Sequence, residues 1–222
     1  MITSLVAALI ASASLLPAGV TESPATISAP PITVTVTATG VSPSLLQNVF
    51  EEAEAIWKSS GVRFAWRVAD RDLRPCRADG PPPLPLSLRV TFGDAPGAAK
   101  GGQLPLGWIV FDDVTTPEQE IYVSYGNAIR FLKSARGVVG LLDQMTQVQK
   151  ETLLGRAMGR ALAHELGHYL LASKIHTSRG LMKATRTAFE FFTPDRGGFA
   201  IEAGQTQVLV ARLRNESRTS NQ

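Results

Sequence analysis

Hydrophobic residues recur with two different periods along this chain, and those periods predict its secondary structure. Val and Thr alternate over residues 32–39 (ITVTVTAT), which predicts a strand with one buried face. Apolar residues then recur at helical spacing over residues 45–57. Ser42 and Pro43 are suited to begin this helix, and Gly61 is suited to end it.

The same reading predicts the elements of the rest of the chain. Further strands are expected over residues 62–68, 86–92, 107–111 and 120–125, and helices over 128–133, 148–173 and 200–215. The longest predicted helix therefore follows the last predicted strand.

The N-terminal residues differ in composition from the remainder. Residues 1–18 are apolar and uncharged, and the run is shorter than the roughly 20 residues of a membrane span. We interpret them as a signal peptide of an exported protein, with an uncleaved anchor as the alternative. Residues 19–31 read as a polar, Pro-containing linker, and residues 32–222 as a single domain.

Charge and cysteine content narrow the range of partners. The 22 Lys and Arg residues slightly outnumber the 19 Asp and Glu residues and are dispersed, so we expect no nucleic-acid partner. Beyond the N-terminal segment, no membrane partner is expected. Cys76 is the single cysteine, so it cannot form an internal disulfide, and we interpret it as a loop cysteine.

Candidate chemistry lies inside the longest predicted helix, where His164, Glu165 and His168 form the pattern H-E-x-x-H. With about 3.6 residues per turn, histidines four positions apart lie on one helix face and would grip one metal ion. Glu165 is rotated by roughly 100° from His164, which places it near the ion without making it a ligand. This pattern is typical of a zinc site that carries its own general base.

A catalytic zinc requires a third protein ligand, and the chain has one more histidine, His176. We expect the helix to run to residues 172–173 before the chain turns and brings His176 to the metal. A helix continuing to His176 would instead separate that imidazole from His168 by roughly 12 Å of rise. Glu190 or Asp195 would then have to complete the site.

The sequence HELGH, followed by a later histidine and then by HTSRGLM, resembles the metzincin metallopeptidases. Their motif is H-E-x-x-H-x-x-G-x-x-H followed by a Met-turn. The resemblance implies one zinc ion and the following roles: zinc ligands His164, His168 and His176, general base Glu165, and Met-turn methionine Met182. The spacing departs from the motif, because Leu171 replaces its Gly, Lys174 replaces its third His, and His176 comes two residues later.

The resemblance also implies a fold and a place for the substrate. The fold would be α+β and zincin-like, with a mixed, twisted five-stranded sheet packed on two long helices and a C-terminal subdomain ending in a helix. A peptide substrate would pair with an edge strand formed by Gly107, Trp108, Ile109, Val110 and Phe111. An ordinary edge strand without a ligand is the alternative.

Two further stripes run along the predicted long helix. Gly155, Gly159, Ala163 and Gly167 recur every four residues, and each interior glycine costs about 1 kcal/mol relative to Ala. We expect close approach to the sheet or to another backbone to offset that cost. Arg156 and Arg160 are interpreted as a solvated flank, with anion binding as the alternative.

The aromatic cluster near residues 189–192 is expected to pack in the core, with a pocket wall as the alternative.

The function predicted from these residues is zinc-dependent hydrolysis of peptide bonds by a metal-activated water, with Glu165 as general base. Alternatives are an exported zinc-binding module without catalysis, a gluzincin-type hydrolase with a Glu as third ligand, and a zinc hydrolase of a non-peptide bond. The intact Glu165 favours catalysis over a structural site, since a structural zinc needs no base.

Overall fold

A five-stranded sheet forms one layer of the computed structural model, which describes residues 31–69, 84–94 and 105–219. The predicted signal peptide, nearly all of the predicted linker and Cys76 lie outside those residues. The strands are β1 (Ile32–Ala38), β2 (Phe64–Val68), β3 (Leu84–Gly93), β4 (Gly107–Phe111) and β5 (Pro117–Ser124). Their order across the sheet is β2-β1-β3-β5-β4. Neighbouring strands are parallel except for the edge strand β4, which is antiparallel to β5.

Six α-helices complete the described part of the chain. They are α1 (Pro43–Trp57), α2 (Tyr125–Ser134), α3 (Arg136–Val139), α4 (Gln147–Leu171), α5 (Ala188–Phe192) and α6 (Ala203–Thr219). This arrangement confirms the expected α+β class and the mixed sheet of five strands. No described helix combines the length and the apolar content needed to cross a membrane.

Helix α1 begins and ends where its sequence predicts. The Ser42 hydroxyl accepts a hydrogen bond from the Leu45 amide at 3.2 Å, and Pro43 occupies the first turn. Gly61, with a φ of 76°, ends the short 3-10 turn that follows the helix. The buried face packs on the sheet, where the Phe50 ring stacks on Trp66 with centroids 4.5 Å apart.

The glycine stripe of α4 packs against α1, as expected from its spacing. A Cβ atom on Gly155 would lie 2.5 Å from Asn48 Cβ, and one on Gly159 would lie 2.6 Å from Glu52 Cβ. One helical turn further along, the Trp57 indole donates to the carbonyl oxygen of Ala163. The two long helices therefore approach too closely for a side chain at Gly155 or Gly159.

Several boundaries differ from the sequence prediction. The strand expected over 120–125 begins earlier and stops at Ser124, because the Ser124 hydroxyl caps α2 by accepting from the Asn127 amide. Helices α3 and α5 fall where only connections were expected. In the aromatic cluster, Phe192 is buried as predicted, whereas Phe189 is 65% exposed.

Candidate metal centre

Helix α4 presents His164 and His168 from successive turns, as their spacing predicts. The helix starts with a capping box in which Thr146 and Gln149 satisfy each other's backbone amides. It is buried along most of its length, and its imidazoles at 164 and 168 have centroids 4.7 Å apart. A well-anchored helix thus fixes two nitrogen donors relative to each other.

The third histidine is delivered by a turn at the end of α4. The helix ends at Leu171, and Ala172 adopts the left-handed conformation with a φ of 48°. Ser173 then donates its amide to the His168 carbonyl oxygen, closing the turn at 3.2 Å. The chain turns one residue later than in the metzincin motif, which has Gly at the place of Leu171, and the next residues carry His176 back to the helix.

The three imidazoles converge through their Nε2 atoms. The His164–His168 separation is 3.1 Å, the His168–His176 separation is 3.2 Å, and the His164–His176 separation is 3.3 Å. Among the described residues these three histidines form the group of side chains arranged to hold a metal ion. The structure thus brings together the three residues that the sequence singled out.

Hydrogen bonds at the opposite ring nitrogens set the tautomers of the two helical histidines. His164 Nδ1 lies 2.8 Å from the Leu181 carbonyl oxygen, and His168 Nδ1 lies 2.6 Å from that of Ser173. A carbonyl oxygen only accepts, so each Nδ1 carries the proton and each Nε2 turns a lone pair toward the centre. This is the arrangement that a metal ligand requires.

Burial keeps the imidazoles neutral. Desolvation is the main cause that lowers the pKa of His164 to about 3, and the neighbouring His168 lowers it further. Desolvation also lowers the pKa of His168 and of His176. Neutral imidazoles at pH 7 are ready to coordinate a cation without first losing a proton.

No protein-family model matches this sequence, and no curated protein matches it.

Glu165 lies next to the triad, between α4 and the edge strand. It is 8% exposed, and burial raises the pKa of its carboxyl group to about 8, opposed by a hydrogen bond from the Ile109 backbone. An ideal Cβ on Gly107 would lie 3.0 Å from Glu165 Cγ. Strand β4 therefore holds the Glu165 carboxyl group through the Ile109 amide, and the absence of a side chain at Gly107 leaves room for it.

The residues predicted to receive substrate form an edge strand of the described sheet, beside the triad. Trp108 stacks on Tyr122 of β5 at 5.3 Å, and Val110 is 43% exposed. The Phe111 ring stands edge-on to His168, with centroids 6.4 Å apart, and the Lys174 ammonium lies 5.1 Å above that ring. The far end of β4 thus forms one wall of the site.

Met182 is 1% exposed and lies beneath the histidine-bearing helix. Its sulfur occupies the space that a side chain at position 167 would need, so Gly167 makes room for it. Thr177 donates its amide to the Met182 carbonyl oxygen at 2.9 Å. The segment from His176 to Met182 is therefore a closed turn held against α4.

The carboxylates considered as alternative ligands lie elsewhere. Glu190 accepts from Lys183 at 2.9 Å and caps α5 through Thr187. Asp195 accepts from the Gly197 amide. Neither belongs to the group formed by the three histidines.

The interpretation of Arg160 as a solvated residue is wrong. Its side chain is fully buried and its Nε donates to Glu52 Oε1 at 2.7 Å, while Arg196 donates to the other oxygen of Glu52. Arg160 also donates to the backbone carbonyls of Glu190 and Asp195. The buried Glu52 was missed, although its place on the apolar face of the predicted α1 was a readable signal.

Proposed function

We propose that this protein is a zinc-dependent endopeptidase of the zincin type, similar to the metzincins, with His164, His168 and His176 as zinc ligands. The observation that carries the proposal is the convergence of three Nε2 atoms, 3.1 to 3.3 Å apart, beside the buried carboxyl group of Glu165. Next to these groups lies strand β4, at the edge of the sheet formed by the described residues, which would supply a place for a peptide.

The donor set fits zinc in both chemistry and size. Zinc takes imidazole nitrogens at about 2.0–2.1 Å in tetrahedral geometry, which puts neighbouring nitrogens about 3.3–3.4 Å apart. The observed separations of 3.1, 3.2 and 3.3 Å are close to that. Three protein ligands and one open position are typical of catalytic zinc, whereas structural sites are closed by a fourth ligand.

Glu165 and a bound zinc ion would share the work of peptide hydrolysis. A bound zinc ion supplies Lewis acidity, which polarises a carbonyl group and makes water easier to deprotonate. Glu165, held by the Ile109 amide, takes the proton of the attacking water and passes it to the nitrogen of the departing amine. The positive charge of a bound cation favours the ionised carboxylate that this role requires.

The substrate would be an extended peptide. Strand β4 lies at the edge of the described sheet, antiparallel to β5, and apart from the Ile109 amide, which donates to Glu165, its outer backbone groups would pair with an added strand. Pairing along residues 107–111 would pass the peptide beside Glu165 and the triad. Backbone pairing would supply affinity, and side chains such as Phe111 would contribute preference.

The function is tested by loading the purified chain with zinc and measuring cleavage of casein and of a quenched peptide library. Glu165→Gln should keep one zinc per chain and lose turnover by several orders of magnitude, since the variant retains the ligands but has no base. Glu151→Gln, near the start of α4, is the matched control and should cleave normally. Normal cleavage by Glu165→Gln would refute the role of Glu165, and a zinc-loaded wild type without cleavage would favour a non-catalytic module.

The ligand set is tested separately by metal analysis. His176→Ala should weaken zinc binding by more than about 100-fold, the upper range for loss of outer-shell support. Glu190→Gln should still bind one zinc per chain, because Glu190 is paired with Lys183 away from the triad. The reverse result would assign the third ligand to Glu190.

A further inference from the structure

Arg186 is almost completely buried beside the Met-turn, with 4% of its side chain exposed. Its guanidinium donates to the backbone carbonyl of Gly180, to that of Gly198 at 3.0 Å, and more weakly to that of Leu181 at 3.5 Å. It also stacks 3.8 Å above the Phe199 ring. One planar group with five donors thus joins two separate backbone segments.

One of these carbonyls is also the partner of a triad histidine. The Leu181 oxygen accepts the hydrogen bond from His164 Nδ1 at 2.8 Å. The backbone around it is constrained further, since the Leu181 amide donates to the Ala200 carbonyl at 2.8 Å. Gly180 has a φ of 67° and its ideal Cβ would lie 2.8 Å from the same Ala200 oxygen, so the turn has little freedom to shift.

We propose that Arg186 is a positioning residue for the metal centre: by holding the 180–181 backbone, it fixes the carbonyl that orients His164. Removing a group that holds a ligating histidine through its second nitrogen typically lowers metal affinity by about 10–100-fold. Arg186 acts one step further out, through the backbone. The inference rests on the proposed function only in that the triad must bind a metal.

Because Arg186 is charged, the direction in which zinc affinity changes distinguishes a positioning role from a simple charge effect. The guanidinium is positively charged and lies on the backbone turn whose Leu181 carbonyl holds His164. That charge also repels a cation at the triad. If Arg186 acted only as a nearby charge, removing it would tighten metal binding, whereas loss of positioning would weaken it.

The experiment compares Arg186→Lys and Arg186→Met with wild type in the full chain. Zinc affinity is measured by competition with a chelator, and ligand geometry by the visible d–d absorption of the cobalt-loaded protein. Arg186→Lys keeps the charge but has no planar fork, so zinc affinity should fall about 10-fold with an altered cobalt spectrum. Arg186→Met should show the same direction of change. Arg179→Met, an 85% exposed arginine on the same segment, is the matched control and should leave both readouts unchanged.

Two results would overturn the proposal. One is a folded Arg186 variant whose zinc affinity and cobalt spectrum equal those of the wild type, and the other is tighter zinc binding by Arg186→Met than by the wild type. Arg186→Lys decides the matter if Arg186→Met does not fold. Failure of the wild type to bind zinc would instead refute the proposed function. Binding by wild type together with unaltered Arg186 variants would refute this inference alone.

Discussion

Glu52 on α1 and Arg160 on α4 form an ion pair that is closed to solvent, with Arg160 Nε 2.7 Å from Glu52 Oε1. The second oxygen of Glu52 accepts from Arg196 at 2.7 Å. The Arg160 guanidinium also donates to the backbone carbonyls of Glu190 and Asp195. One carboxylate therefore ties the two long helices to the segment that follows the candidate metal centre.

Breaking this pair should destabilise the fold strongly. Glu52→Leu alone should cost about 3–5 kcal/mol, because it leaves the buried Arg160 without a carboxylate. Arg160→Met alone should cost less, because Arg196 still pairs with Glu52. The double variant should lose much less than the two single losses together. Urea unfolding in the presence of a chelator measures this, with Arg179→Met as a control that should cost about 0–1 kcal/mol, since its pair with Glu202 is exposed. Additive losses would show that the two residues are not coupled.

Gly159 on the stripe and Gly137 outside it should respond in opposite ways to replacement by alanine. Gly159→Ala should destabilise the protein by about 1–3 kcal/mol, because its Cβ would lie 2.6 Å from Glu52 Cβ and 2.7 Å from the Val49 carbonyl oxygen. Gly137→Ala in α3 meets nothing within 4 Å and should stabilise by about 0.5–1 kcal/mol. Thermal unfolding of the two variants measures both signs. A neutral Gly159→Ala would mean that α1 and α4 separate easily.

Replacing Ala172 with glycine should stabilise the protein. A residue other than Gly in the left-handed region costs about 1–2 kcal/mol, and Ala172 has a φ of 48°. After the entropy of Gly in the unfolded chain is deducted, Ala172→Gly should gain up to about 1 kcal/mol. Ala211→Gly, at an exposed position of α6, should lose about 1 kcal/mol. Chemical denaturation of both variants should give opposite shifts, and a loss of stability in Ala172→Gly would contradict the prediction.

Glu190 predicts part of the acid sensitivity of the fold. Hydrogen bonding to Lys183, with support from Thr187, lowers its pKa from 4.5 to about 2. A lowered pKa in the folded state means that Glu190 contributes stability above the unfolded pKa of 4.5, and the contribution is lost as the pH falls toward 2. Glu190→Gln should therefore flatten the dependence of unfolding free energy on pH between these values. Denaturation of the metal-free protein across this range measures it, and an unchanged slope would exclude the contribution.

The elements with strong local signals were predictable from sequence. Strand β4 was expected at residues 107–111 and occupies them, since its β-branched and aromatic residues lie between clear turn signals. Helix α4 ends at Leu171, one residue short of the expected 172–173, but the chain turns at Ala172, later than a glycine at 171 would turn it. Both signals lie within a few residues of the feature that they predict.

The sequence predictions that failed concern residues whose surroundings depend on contacts between distant segments of the chain. Arg160 reads as a surface residue from its helix alone, yet residues 190–196 return to cover it. Helix α5 has five residues, and a helix this short is marked in the sequence mainly by its capping box. The pairing of Glu52 with two arginines required knowing that residues separated by more than 100 positions meet.

The three histidines differ in how they are anchored, and that difference bears on the speed of metal exchange. His164 and His168 belong to a helix that is buried along most of its length, whereas His176 is exposed on a short connection after Ala172. An ion held by all three would depart by an outward swing of that connection, at a cost well below global unfolding. The dissociation rate of the ion should therefore follow the local fluctuation of residues 173–176, while the occupancy at equilibrium depends on all three rings.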